Sequence, residues 1–439
     1  MVKILTKYLL IIGLFFSINT NAQNLYFPPL TGNTWETTDP ASLGWCQRKI
    51  DSLYDFLNVN GTKAFMVLKD GKIVLEQYFN DHNMSSNWYW ASAGKTLTAF
   101  MTGMAQQEGF LNIQNPTSTY LGQGWTVAPE DKEALITVWH QLTMTTGLQD
   151  SGVDLDCTID TCLKYLADAG TRWSYHNAPY TLLDQVIANA TGMTLNNFTH
   201  TRLRQPIGMG GLFINVGFNN VFFSNARSMA RFGLLMLNNG NWNGNQIMTD
   251  QQYFQNMITR SQSLNNSYGY LWWLNGYENY MVPGSQFVIP GQLFPNAPAD
   301  MYSALGRDGQ ILSVVPSQNL IIIRMGESPT TVPVPYLLNT QIWAYINDLI
   351  CDDPLAINEI NKFNFRVFPN PATDEIQFIS TEDITQIIIQ DITGKVLVSS
   401  MPKAPINRID TSKLSDGVYI IQAKNAKSNT ISQRLIISR

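Results

Sequence analysis

The sequence predicts an α+β domain over residues 23–358, followed by a small all-β sandwich over 365–439. Three observations predict it. Two strand-like runs meet at an Asp-Gly turn near residue 70, and further strand runs return only after residue 268. A block rich in helical spacing separates them, and helix candidates stand at both ends of the unit. After Asp352-Asp353-Pro354 the pattern changes to short alternating runs with turns. Strands at both ends of a unit suit one antiparallel sheet assembled from both chain ends, with flanking helices and an inserted helical subdomain.

The chain opens with Lys3 and Lys7, an apolar run from Tyr8 to Ile18 and a short polar stretch ending at Ala22. This is the three-part pattern of a secretory signal peptide, so residues 1–22 are set apart from the fold. The apolar run falls short of the ~20 residues that span a bilayer. From Ala41 to Leu57, apolar residues recur at helical spacing. Lys63–Lys69 and Lys72–Tyr78 flank Asp70-Gly71 as a β-hairpin. Ala93–Gln107 reads as a helix that begins just after Ser92, and residues 110–260 read as mainly helical, most clearly at Tyr180–Ala190 and Ser224–Asn238. Strands are expected at Tyr268–Leu274, Met301–Leu305, Gln310–Val315 and Asn319–Met325, and a closing helix at Pro335–Ile350.

Composition narrows the class. Charged residues make up 14% of the chain and the net charge is -5. The usual charged share is about 25%. No basic stripe for nucleic acid is present. In an exported chain, cysteines pair. Cys157 and Cys162 lie five apart in one loop and are expected to bond. If the first and last helices run antiparallel side by side, Cys46 meets Cys351, and that disulfide is predicted as well. The four histidines (His82, His140, His176, His200) show no metal-ligand spacing. No metal or cofactor is expected. Asp150, Asp154, Asp156 and Asp160 gather around the Cys157–Cys162 loop, as a solvated loop or, less readily, a calcium site.

Three short segments carry the chemistry. In Trp90-Ala-Ser92-Ala-Gly-Lys95, the serine and lysine are three apart and share a helix face. A serine hydroxyl needs a base to take its proton. Burial and the positive end of a helix both push a lysine toward the neutral amine that can be that base. The pair alone proves little, for Ser400 and Lys403 repeat it in the tail. In Trp173-Ser-Tyr175-His-Asn177, a tyrosine can relay the proton. An asparagine two residues on can position lysine or substrate from the same side of an extended loop, with His176 pointing away. Tyr277/Asn279 and Tyr345/Asn347 repeat that pattern. In Ala304-Leu-Gly306-Arg307-Asp-Gly309, a glycine at a strand edge admits a substrate closely, and the N–H after it can serve an oxyanion; a plain Asp-Gly hairpin turn reads equally well. The Pro-rich segment 277–300 either shapes the cleft or covers the core.

Together the segments resemble the Ser-x-x-Lys hydrolases of the β-lactamase and penicillin-binding-protein superfamily, with "ITVWHQLTMTTGL" and "GYLWWLNG" adding to the likeness over residues 40–350. The resemblance implies the β-lactamase-like sheet and subdomain. It implies Ser92 as acylated nucleophile, Lys95 as base, Tyr175 as second base and acid, Asn177 as positioner, and the backbone of Ser92 and Arg307 as oxyanion hole beside Gly306. The substrate is then a small molecule. The family's usual Lys-Thr-Gly reads Ala304-Leu305-Gly306 here, so the lysine that greets a substrate carboxylate is missing; Arg307 and Arg324 are the candidates to replace it. No Glu-x-x-Leu-Asn deacylation segment is present. Both departures favour an esterase or amidase, on the nylon-oligomer-hydrolase side, over a β-lactamase or D-alanyl-D-alanine peptidase; a non-catalytic binding protein is the third reading. The tail, with "VFPNPATDEI", "DGVYIIQA" and "RLIIS", resembles the C-terminal sorting domain of type IX secretion substrates of Bacteroidetes, which implies the secretion machinery as partner and a secreted or surface location. A carbohydrate-binding or adhesion sandwich is the alternative for it.

Overall fold

The computed structural model describes residues 25–327, 334–351, 365–380, 382–402 and 408–439. The signal-peptide segment and residues 352–358 lie outside the described residues, as does Lys403. The chain divides into two compact units at Cys351/Asp352.

The first unit is organised around one six-stranded antiparallel sheet. Its elements begin with α1 (Gln47–Val59), β1 (Thr62–Lys69), β2 (Lys72–Tyr78), β3 (Trp88–Tyr89) and α2 (Lys95–Gln107). They continue with β4 (Leu212–Val216), β5 (Asn219–Ser224), α3 (Ala226–Leu237), β6 (Trp273–Leu274), β7 (Tyr302–Gly306), β8 (Gln310–Val315), β9 (Leu320–Gly326) and α4 (Tyr336–Asp348). The strand order is β2-β1-β9-β8-β7-β6, so the early hairpin and the late strands meet at β1·β9. Asp70 and Gly71 both take positive φ, 52° and 83°, which gives the tight turn the hairpin needs. β9 is buried along its whole length, which explains its unbroken Leu-Ile-Ile-Ile run.

Alternation along β8 shows what covers each face. Leu312 lies against α3, where a Cβ on Gly233 would stand 2.7 Å from its Cδ1. Its neighbour Ser313 points to the opposite face and accepts from Asn339 Nδ2 of α4 at 3.2 Å. α1 joins α4 there: Phe56 and Tyr345 stack at 4.6 Å. The N–H of Cys46 donates to Leu349 O and that of Cys351 to Gly44 O, both at 2.9 Å. The helices therefore run antiparallel, and the Cys46–Cys351 disulfide closes their ends. Cys157 and Cys162 are also bonded.

Two expectations need correction. Residues 110–260 are not only helices and loops. β4 and β5 form a hairpin and pair with β3 in a separate three-stranded sheet, order β3-β5-β4. Their Leu-Phe-Ile-Asn-Val and Val-Phe-Phe residues are strand formers, and their place between two helices hid them. The strand expected at Tyr268–Leu274 shrinks to β6, because Leu271 takes a positive φ of 61° that no strand continues through.

The second unit has two antiparallel sheets. Phe365–Phe368, Glu375–Ser380 and Arg408–Asp410 form one, and Val396–Ser400, Ile384–Gln390, Gly417–Asn425 and Thr430–Ile437 the other. Phe365, Ile376, Phe378, Ile387, Ile389, Ile421 and Leu435 bury one shared core, as a β-sandwich does. The strand at Arg408–Asp410 was not expected. Among the described residues, no helix is long and apolar enough to cross a membrane.

Candidate active site

Ser92 sits where the small sheet hands the chain to α2. The backbone N–H of Trp90 donates to Phe222 O at 2.8 Å and its indole N–H to Ser224 Oγ at 2.8 Å. The fully buried Trp90 ring packs edge-on to Phe222 at 5.2 Å. Ala91 then turns through a positive φ of 46°. The α-helix proper begins at Lys95, and Ala91–Gly94 is a 3-10 turn rather than its first residues. The serine thus lies on a tight turn anchored from both sides.

Lys95 is 3% exposed, and its Nζ donates to Ser92 Oγ at 3.0 Å. The same Nζ lies 4.0 Å from the centre of the Tyr180 ring and 5.1 Å from that of Tyr175. Burial lowers its pKa to about 7; nearby Asp156 opposes this and Arg307 adds to it. Near neutral pH a large share of the lysine is therefore the free amine. Tyr175 stacks on Trp273 at 5.6 Å and meets Tyr268 edge-on at 6.4 Å. Burial pushes its hydroxyl well above the usual tyrosine range, against a hydrogen bond with Ser92 that acts the other way. Near neutral pH Tyr175 therefore keeps its proton.

Asn177 differs from expectation. It does not lie in an extended loop but opens the short helix Asn177–Thr181. Its Nδ2 donates to Asp156 Oδ1 at 2.6 Å, and its buried Oδ1 has no hydrogen-bond partner among the described residues. His176 is buried, held neutral by desolvation that lowers it to about 4, and is absent from the pocket wall.

Gly306 ends β7 against the serine turn. A Cβ there would come within 2.2 Å of Trp90 O and 2.9 Å of Ala93 N. No side chain fits between strand and turn. Gly306→Ala is expected to part them and to lower kcat/KM at least about tenfold, checked by kinetics alongside thermal unfolding. The turn after it is also an Asp-Gly turn, with Asp308 at φ 63° and Gly309 at φ 83°. The hairpin-turn reading of the segment therefore holds, and the close approach at Gly306 is to the serine turn rather than to the cavity, whose wall begins at Arg307.

Arg307 lines the pocket, whereas Arg324 does not. The Arg324 guanidinium is fully buried. It donates to Thr62 Oγ1 (2.9 Å) and to the carbonyls of Asp308 (3.1 Å), Gly309 (2.7 Å), Asn60 (2.6 Å) and Glu327 (2.8 Å). With every donor spent on the fold, it is no candidate for a substrate carboxylate.

Ser92, Lys95, Tyr175, Asn177 and Arg307 all border one cavity of about 770 Å³. Tyr89 and Tyr180 border it too, as do Asp156, read beforehand only as part of an acidic loop, and Asp308, read only as a turn residue. Tyr180 lies one helical turn after Asn177, a spacing that was readable. Tyr89 donates to Asp308 Oδ2 at 2.7 Å, a contact that only the fold creates. Val153, Leu155, Val221 and Phe223 make much of the wall apolar. The segment 277–300 does both things proposed for it: Pro283 and Gly284 edge the cavity, while Phe294 is buried and takes Asn275 Oδ1 on its N–H at 3.0 Å. Asp150 pairs with Arg172 at 2.9 Å. Among the described residues no group of three His, Cys, Asp or Glu could hold a metal ion.

Comparison with known proteins bears on the family and the fold. The beta-lactamase family model matches residues 61–344, and the secretion-system C-terminal sorting domain matches 366–438. An uncharacterised protein of Alkalihalophilus pseudofirmus is 22% identical over 309 residues, 62% of this chain and 84% of its own. A candidate 6-aminohexanoate-dimer hydrolase from Bacillus anthracis superposes with TM-score 0.55 at 22% identity, over 74% of this chain and 88% of that one. A family VIII carboxylesterase does so with TM-score 0.53 at 13% identity, over 71% and 99%. The sorting domain directs the protein through type IX secretion to the cell surface or exterior. The first unit spans most of the chain, and with it the chain belongs to the beta-lactamase family, whose members are in general serine hydrolases.

Proposed function

We propose that the protein cleaves ester or amide bonds of a small substrate through an acyl-Ser92 intermediate. The observation that carries this reading is the 3.0 Å contact between Ser92 Oγ and the buried Lys95 amine, with the lysine lowered to about 7. Lys95 takes the Ser92 proton as Oγ attacks the carbonyl carbon. The N–H groups of Ser92 and Arg307 receive the developing oxyanion. Tyr175, protonated at rest, is placed to give its proton to the leaving group and recover one from Lys95. Water then repeats the attack on the acyl-serine, which releases the acid and restores Ser92.

Ester or amide substrates are favoured over β-lactams and D-alanyl peptides because Ala304 stands where Lys-Thr-Gly would supply a cation, and Arg324 is consumed by the fold. Arg307 on the pocket wall supports the second reading, a β-lactam or D-alanyl peptide substrate. A fluorophosphonate probe is expected to label the folded protein at Ser92, and labelling is expected to vanish in Ser92→Ala. Turnover of short-chain nitrophenyl esters should then exceed that of a chromogenic cephalosporin. The reverse order would favour the second reading, and no labelling of folded wild type would remove the first.

A further inference from the structure

The proposed positioner, Asn177, is itself positioned. Asp156 Oδ1 lies 2.6 Å from Asn177 Nδ2. A carboxylate only accepts, so the amide must turn its NH2 toward Asp156. The backbone repeats the contact one residue along, where Ala178 N–H donates to Leu155 O at 2.8 Å. Asp154 Oδ1 receives the Asp156 N–H at 3.0 Å, and the Cys157–Cys162 disulfide follows immediately. The loop that carries Asp156 is therefore fixed against the helix that carries Asn177.

The consequence falls on the other end of the amide. Asn177 lines the cavity, and its buried Oδ1, among the described residues, receives no hydrogen bond. A buried acceptor without a donor is costly, and a ligand that supplies one gains by it. We infer that Asp156 is a specificity-determining residue, holding Asn177 as an acceptor so that the site selects an acyl group with an amine beside the scissile carbonyl. An asparagine turned the other way would instead donate to a substrate carbonyl. Asp156 Oδ2, which takes no hydrogen bond from the described residues, adds a charge that suits an ammonium. Lys95 and Arg307 also face the cavity. They oppose a cation, so the selection rests on placement next to Asp156 and Asn177 rather than on net charge.

This inference rests on the proposed acyl-Ser92 chemistry, and one experiment separates the two. Ser92 is labelled by a fluorophosphonate in the presence of alanine benzyl ester, in each enantiomer, or of benzyl isobutyrate. The last carries a methyl group where the first carries the ammonium. One alanine ester is expected to protect Ser92 at a roughly tenfold lower concentration than the isobutyrate, and Asp156→Asn is expected to erase that difference. Equal protection in the wild type, or a difference that survives in Asp156→Asn, would overturn the inference and leave the nucleophile standing. The wild-type comparison decides by itself if the variant does not fold. Failure of the probe to label folded wild type would overturn the acyl-serine reading itself, and this inference with it.

Discussion

Lys95→Met is expected to lower kcat/KM for esters about 10³- to 10⁴-fold while leaving the protein folded and, at neutral pH, more stable. The two effects share one cause. Lys95 is buried at the start of α2 and its pKa falls from 10.5 to about 7. Below pH 7 the folded chain holds a buried ammonium, and the full penalty applies. Between about 7 and 10.5 the folded form is neutral while the unfolded form still binds a proton, so stability rises with pH across that window. Methionine carries no charge and fills similar space. Its advantage over wild type is expected to be largest near pH 6 and to shrink toward pH 10, by at most about 5 kcal/mol. Wild-type kcat/KM is expected to rise through pH 7 as the amine becomes free. Thermal unfolding of both proteins at pH 6 and pH 9, with a pH–rate profile, checks each part. A stability difference that does not vary with pH would mean that the lysine is not buried as described.

Arg324→Met is expected to cost on the order of 4 kcal/mol and to reduce activity as well. Arg324 replaces a solvent shell with five protein acceptors, four of them carbonyls from the Asn60 turn, the Asp308-Gly309 turn and Glu327. Methionine leaves those carbonyls without their donors, that of Gly309 buried and the other three partly buried. The Asp308-Gly309 turn follows Arg307, so its loosening moves one wall of the pocket and one proposed oxyanion donor. Gly309 shows how tight the packing is: a Cβ there would stand 2.0 Å from Arg324 Nη1. Chemical denaturation measures the first effect, and kcat/KM at a temperature well below the unfolding midpoint measures the second. Full activity in a destabilised variant would separate the turn from the site.

What could be read from the sequence follows the range of the interactions involved. The Asp70-Gly71 hairpin is local, and its turn chemistry stands in two adjacent residues. The Ser92–Lys95 contact is set by helical spacing, and the sheet joining both chain ends follows from the order of strand-like runs. Asn177 was misplaced because the extended segment ends one residue earlier than read, at His176, and a short helix opens at Asn177. Asp156 and Asp308 were invisible as pocket residues. Each acts through a partner far away in the chain, Asp156 on Asn177 and Asp308 on Tyr89, and nothing in their neighbours marks that. Arg324 misled for the opposite reason. An arginine in an apolar strand resembles a buried functional charge, and only its five acceptors reveal a structural one.

The central claim is that Ser92, activated by Lys95, carries the acyl group. Acid quenching during turnover of a short-chain nitrophenyl ester, followed by intact-mass and peptide mass spectrometry, tests it most directly. The account predicts a mass increase equal to the acyl group less one hydrogen, confined to the peptide that contains Ser92 and absent from Ser92→Ala. An acyl adduct on another residue, or equal turnover by Ser92→Ala, would contradict it.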